Sequence, residues 1–279
     1  MLRSGWNRSK PLTFMFTYPQ IDPVALSIGP LSIHWYGIMY IVAFGGAWLL
    51  ALHRMKQEPG SWTAEQISDL VFYGALGAVI GGRMGSVFFY NFDRFLDDPV
   101  WLFRVWEGGM SFHGGFLGVM TAFYLYSRHI GKAYFDVIDF VAPLVPFGLG
   151  AGRLGNFIGG ELWGRPTDVA WGMVFPHVDQ QARHASQLYE FALEGVVLFA
   201  IIWWYSSSPR PRFAVSGAFA LGYGVFRIFI EFFREPDFGI GFIAFDWLTM
   251  GQLLSIPMVV VGIYLLVLAN SERKVIMNP

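Results

Sequence analysis

The 279-residue chain has no cysteine at all. Disulfides, thiolate metal sites and a cysteine nucleophile of its own are therefore excluded, and any thiol chemistry must arrive with a substrate. Charge is scarce as well: 14% of residues are Asp, Glu, Lys or Arg, against about 25% in soluble domains. The net charge of −1 removes the electrostatic footprint expected of a nucleic-acid partner. No G-x-S-x-G elbow, H-E-x-x-H or P-loop is present, nor a paired-aspartate motif of the kind used by metal-dependent phosphoalcohol transferases. A candidate site is thus expected to work without metal or cofactor. No internal repeat of about 20–50 residues is visible, which counts against a secondary transporter built from paired halves. A cleavable signal peptide is not evident: Arg3, Arg8 and Lys10 precede a short apolar-aromatic run without a small-residue cleavage site. Met15 is an alternative start.

What the chain has is apolar surface. Hydrophobic residues make up 54% and aromatics 18%, with a mean hydropathy of +0.46, the profile of an all-α polytopic membrane protein with aromatic belts. A span needs about 20 apolar residues, which predicts seven: 32–53, 67–90, 111–127, 137–158, 187–205, 214–233 and 249–269. Together they form a single integral membrane domain over 1–279. Pro143, Pro146 and the glycines at 148, 150, 152, 155 and 159 predict a broken fourth span, tolerated only where it lines a cavity or is buried in protein. The connections 54–66, 128–136 and 206–213 and the C-terminal tail hold Arg54, Lys56, Arg128, Lys132, Arg210, Arg212, Arg273 and Lys274. The alternate connections hold Arg94, Arg104, Arg165, Arg183 and Arg234, diluted by many carboxylates, among them Asp237, a bias of eight against five, or eight against eight with Arg3, Arg8 and Lys10 of the N-terminal tail included. By the positive-inside rule the N-terminus lies outside and the C-terminus inside, with 159–186 as a small outward cap.

Three arginines sit within the spans: Arg83 in GGRMG, Arg153 in GAGRLGNF and Arg227 in GYGVFRIFIEFF. A guanidinium cannot shed its charge, and placing one at bilayer depth costs at least about 2.5–3.5 kcal/mol. An anionic partner such as lipid phosphate would offset that cost. Tyr223, Arg227 and Glu231 are spaced by four and share one helix face, so Arg227 and Glu231 can pair. Such a pair either simply lets the arginine insert or holds it for bidentate contact with a phosphodiester. Arg153 and Asn156 lie among glycines. Gly148–Gly152 and Gly155–Gly159 have helix-packing spacing, but bare backbone also suits an anion-binding nest. His113, in GGMSFHGG, is either a structural hydrogen-bonder or a base suited to a thiol at neutral pH. Tyr36 is an interfacial anchor or a headgroup contact. Glu161 can orient Arg153 or Arg165. In RHASQLYEFALE, which begins at Arg183, His184 and Gln187 precede Glu190 and Glu194, two carboxylates that repel if buried unless protonated or paired with arginine. Arg83 is a further phosphate contact or a partner of one of these glutamates.

Taken together, IDPVALSIGPLSIHWYG, GGRMGSVFFYNF, LFRVWEGGMSFHGG, PLVPFGLGAGRLGNFIGGELWGR, RHASQLYE, GYGVFRIFIEFFREPD and MGQLLSIPM resemble the bacterial prolipoprotein diacylglyceryl transferases over nearly the whole chain. The resemblance implies a seven-span enzyme of the cytoplasmic (inner) membrane. It would move the sn-1,2-diacylglyceryl group of phosphatidylglycerol onto the lipobox cysteine thiol of a preprolipoprotein, forming a thioether and releasing glycerol-1-phosphate. The positions matching the family's essential residues are Tyr36, His113, Arg153, Asn156, Glu161, Tyr223, Arg227 and Glu231. Of these, His113, Arg153, Arg227 and Glu231 are expected to carry the chemistry. The remaining four, with Arg83 and His184, are expected to contact substrate. Departures are local: Gly159-Gly160 stands where Asn-Gly is frequent, Ala185 where Pro is frequent, and 166–183 is shorter than in some relatives. The missing cysteine fits, because the nucleophile belongs to the substrate. Rival readings are a transporter or a binding protein for an anionic lipid or solute.

Overall fold

A computed structural model of the chain describes residues 16–29, 31–57, 60–236 and 241–277. Arg3, Arg8, Lys10, Met15 and Asp237, and the side chains of Arg273 and Lys274, lie outside what is described. Helices dominate. They are α1 (Trp35–Gln57), α2 (Ala64–Tyr90), α3 (Phe92–Asp97), α4 (Phe112–His129), α5 (Tyr134–Val141), α6 (Val145–Ile158), α7 (Ser186–Glu190), α8 (Leu198–Tyr205), α9 (Ala214–Ile230) and α10 (Met250–Met277).

Five helical runs are long and apolar enough to cross a bilayer: Trp35–Gln57, Ala64–Tyr90, Tyr134–Ile158, Ser186–Tyr205 and Met250–Glu272. Each coincides with an expected span. The two remaining expectations fall on α4 and α9. Helix α9 is apolar but only 17 residues long, and the 18 residues of α4 include His113, Arg128 and His129. The first span begins later than expected, because Leu31–His34 pairs with Val24–Ile28 in an antiparallel hairpin before α1 starts.

The fourth span contains a change of pitch rather than unwound chain. Helix α5 passes through one 3-10 turn at Ala142–Leu144 into α6. Pro143 and Pro146 lie at the first or second positions of these segments, and each removes a backbone N–H from the ladder where the pitch changes. The unexpected irregularity is in the fifth span, where Phe191–Val197 forms a π-helical segment between α7 and α8. Gly195 in that segment faces Gly150 of α6, and a Cβ on Gly150 would meet the Gly195 Cα at 3.2 Å. The predicted Gly148–Gly152 packing surface is not what brings the helices together: Gly152 has nothing within 4 Å.

Glycines instead join α2 to α4. A Cβ on Gly77 would meet the Gly118 carbonyl oxygen at 2.6 Å, and one on Gly85 would meet the Gly114 Cα at 2.7 Å, the close backbone approach of small-residue membrane interfaces. Helix α1 bridges α2 to α6, the π segment packs on α6, and α9 packs along α10. The start of α9 is capped from a distance. The Asp139 carboxylate on α5 accepts from the backbone N–H groups of Phe213 and Ser216, both at 2.7 Å. That capping supports a left-handed Phe213 at φ 72°.

The segment 159–186 forms a small cap. Met173–Val174 pairs in parallel with Phe16–Thr17 and antiparallel with Ala182–Arg183. Tyr18, Phe175 and Ala185 make its buried core, with Phe157 and Trp163 against it. The Tyr18 hydroxyl donates to the Ile158 carbonyl at 2.7 Å, tying the cap to the end of α6.

Candidate functional site

The fifth span carries two carboxylates that are fully buried, Glu190 and Glu194. Arg153 reaches them from α6 and Arg227 from α9. Arg153 Nε lies 3.2 Å from Glu190 Oε2, and its Nη2 lies 3.3 Å from Glu194 Oε2. Arg227 Nη1 donates to Glu190 Oε1 and stands 3.7 Å from Glu194 Oε1. Arg227 Nη2 donates to Glu231 Oε1, the pairing expected from their spacing. Glu231 is held further by Arg234 Nη1 at 3.0 Å and by the Thr249 hydroxyl, which donates to Oε2 at 2.6 Å. Three arginines and three glutamates thus share one buried cluster, as many cationic side chains as carboxyl groups.

The glutamates are not equally well held. Glu231 accepts from three side chains. Among the described residues Glu194 accepts only from Arg153, at 3.3 and 3.4 Å, and its Oε1 is buried without a hydrogen bond. Glu190 Oε2 also lacks one. Among the described residues Arg153 Nη1 makes no hydrogen bond, and the Arg153 side chain is 18% exposed.

Around this cluster the other candidates divide. Tyr36, at the start of α1, packs on Gly155 next to Arg153: a Cβ on that glycine would meet the ring at 3.2 Å. Asn156 Nδ2 donates to Glu161 Oε1 at 2.7 Å, so Glu161 orients neither Arg153 nor Arg165 as expected. Proximity in sequence misled here; Arg153 turns instead toward the fifth span. Arg165 donates to the carbonyls of Arg234 and Glu231 at 2.8 and 3.0 Å. Tyr223 lies one turn before Arg227 and within electrostatic reach of Glu194 and Arg153.

Three candidates stand apart from it. Arg83 was expected to meet phosphate or a glutamate. Its guanidinium is instead taken up by backbone carbonyls: those of Leu102 at 3.0 Å, Gly108 and Trp101. It also stacks on the Trp101 ring at 4.2 Å, so carbonyl dipoles and a π face supply the partner that an anion would have supplied. His184 lies in the cap, with Nδ1 3.1 Å from the Tyr189 hydroxyl and its ring edge-on to Phe233. Burial pushes its pKa below the ordinary histidine value. His113 is exposed in the first turn of α4, a helix that packs on α2 and α5. The cluster is built from α6, α7, the π segment and α9.

Several contributors escaped the sequence reading. Arg234 had a local signal, lying three residues after Glu231. Thr249 had none, since it reaches Glu231 only through the packing of α10 on α9. Gln187 was noted without a role. It is fully buried, and its Nε2 donates to the Glu161 carbonyl at 2.6 Å.

Most of the chain is similar to known proteins. A family model described as prolipoprotein diacylglyceryl transferase matches residues 23–268. A phosphatidylglycerol–prolipoprotein diacylglyceryl transferase of Marinomonas sp. (strain MWYL1) is 61% identical over 249 residues, 89% of this chain and 93% of that protein. The protein of the same name from Legionella pneumophila (strain Philadelphia 1) is 59% identical over 251 residues, 90% of this chain and 98% of its own length. One from Pseudomonas aeruginosa (strain LESB58) is 58% identical over 255 residues, covering 91% and 96% respectively.

Proposed function

The chain belongs to the prolipoprotein diacylglyceryl transferase family, and we propose that its buried arginine–glutamate cluster holds phosphatidylglycerol while the cysteine of a preprolipoprotein lipobox displaces the phosphate. It is a transferase. The thiol sulfur forms a C–S bond to the glycerol carbon of the sn-1,2-diacylglyceryl group, and the C–O bond to phosphate breaks. Glycerol-1-phosphate leaves with the bonding pair, and the thiol proton is accepted by a base. Negative charge therefore builds on phosphate oxygen in the transition state.

Arg153 and Arg227 stabilise that charge in a water-poor site, where a fixed cation acts more strongly than in bulk water. Glu231 holds Arg227, His113 takes the thiol proton, and Tyr36, Asn156, Glu161 and Tyr223 contact substrate. The observation that carries this reading is Arg153: long hydrogen bonds to Glu194, partial exposure and a free Nη1 among the described residues leave it the guanidinium best able to turn toward a ligand. Arg83, spent on carbonyls, has no part in gripping phosphate. The chain crosses the bacterial cytoplasmic membrane seven times, α4 and α9 included, with its N-terminus and cap outside; the bias of Lys and Arg between alternate connections supports this orientation.

The test is product chemistry. Purified protein given phosphatidylglycerol and a lipobox peptide should release glycerol phosphate and yield a diacylglyceryl thioether. A folded preparation that retains the lipid and releases nothing would make this a binding protein instead.

A further inference from the structure

With all three glutamates ionised the cluster is electrically balanced before any substrate arrives, and this constrains how an anion enters. The π segment carrying Glu194 packs on α6, α7, α8 and α9. The charged or titratable groups facing Glu194 are Arg153 from α6, Arg227 and Tyr223 from α9, and Glu190 from the end of α7. Helix α8, LFAIIWWY, adds no charge. Glu194 has hydrogen bonds from Arg153 alone. If Arg153 turns to a phosphodiester, Glu194 keeps only a non-bonded approach of 3.7 Å to Arg227. It would then be a fully buried carboxylate with no donor beside a newly arrived anion, and an uncompensated buried charge is strongly destabilising. Glu190 and Glu231 do not share this fate, because Arg227 holds both, and Arg234 and Thr249 hold Glu231 as well.

We infer that phosphatidylglycerol binding is coupled to uptake of one proton by Glu194, so that Arg153 exchanges a carboxylate for a phosphate while the cluster stays neutral. The inference rests on the proposed role of Arg153 at the lipid phosphate. The balance is simple: one lipid monoanion and one proton enter, the proton forms an O–H bond on the Glu194 carboxyl, and no net charge is buried.

Titration calorimetry of the detergent-solubilised full-length protein with short-chain phosphatidylglycerol, in two buffers of different ionisation enthalpy, counts the protons taken up. The wild type should take up about one per lipid at mildly alkaline pH, and its affinity should fall about tenfold per pH unit there. Glu194→Gln, already neutral, should take up none and bind at least as tightly with a flat pH dependence. Glu194→Asp should keep the proton uptake. Wild-type binding without uptake, uptake undiminished in Glu194→Gln, or a large loss of affinity in that variant would each overturn the coupling while leaving the arginine clamp standing. Should Glu194→Gln not fold, the wild-type proton count and Glu194→Asp decide. Lipid binding unchanged by Arg153→Ala and Arg227→Ala, or no binding by the wild type, would remove the clamp and the coupling together.

Discussion

A guanidinium within an apolar helix needs partners, and the three arginines found different ones. Arg83 took carbonyls and an indole face; Arg153 and Arg227 took carboxylates from the fifth span. Arg227 bridges Glu190 and Glu231 through two separate nitrogens, a geometry that the single ammonium of lysine cannot reproduce. Arg227→Lys should therefore lower kcat/KM for diacylglyceryl transfer by about 10²-fold or more, the scale of losing one oriented donor at a developing oxyanion. Glycerol phosphate release measures it, and near-normal turnover would take Arg227 out of the transition state. His113 calls for a different readout, because it lies on α4 and α4 packs elsewhere. If it reaches the reacting thiol as base, His113→Gln should slow turnover by about 10²–10⁴-fold with little change in lipid affinity, and should move the pH–rate profile. A profile identical to that of the wild type would leave His113 a structural residue.

Helices and the cap test the packing. Gly81 on α2 would press a Cβ into the backbone of Gly114 and Gly118, so Gly81→Val should destabilise the fold by about 1–3 kcal/mol through overpacking. Gly45 on α1 has nothing within 4 Å; Gly45→Ala should be neutral or slightly stabilising. Thermal unfolding of both variants in detergent separates the two cases. In the cap, burial lowers the His184 pKa, and Trp171 Nε1 donates to the same Tyr189 hydroxyl that His184 meets. A group whose folded pKa is depressed contributes stability above its unfolded value that is lost as pH falls through the folded one. The cap should accordingly loosen as pH drops below about 6.5, the ordinary histidine value, and Trp171 fluorescence should report it. His184→Gln should flatten that response; an unchanged one would exclude His184 as its source. Sequence made the spans legible because lipid demands long apolar runs, and it made the Arg227–Glu231 pair legible because helix periodicity puts four-residue neighbours together. The π segment was hidden, since it coincides with a Gly150–Gly195 approach between residues forty-five positions apart. Glu161 was matched with Arg153 or Arg165 for the same reason: a local pattern cannot report a partner supplied by another helix.

Across the whole molecule, the proposed orientation puts the cap on the side that a translocated preprolipoprotein would reach. The start of the cap is tied to the chain around the cluster, by Asn156 Nδ2 donating to Glu161 after α6 and by Arg165 donating to the Glu231 and Arg234 carbonyls. In the connections richest in Lys and Arg, Arg212 pairs with Asp136 at 2.7 Å and Lys132 donates to the Ser61 carbonyl. Because the chain has no cysteine, a single introduced thiol reports its own location without background. Asp168→Cys, at an exposed cap position, should react with a membrane-impermeant maleimide in right-side-out vesicles. Ser208→Cys, exposed in the connection between α8 and α9, should react only after the vesicles are opened. Equal labelling of both before opening would mean that cap and basic connections share a side, which an odd number of crossings between Asp168 and Ser208 forbids. The reversed pattern would keep the span count and invert the protein, placing the cluster's opening on the face away from exported substrates.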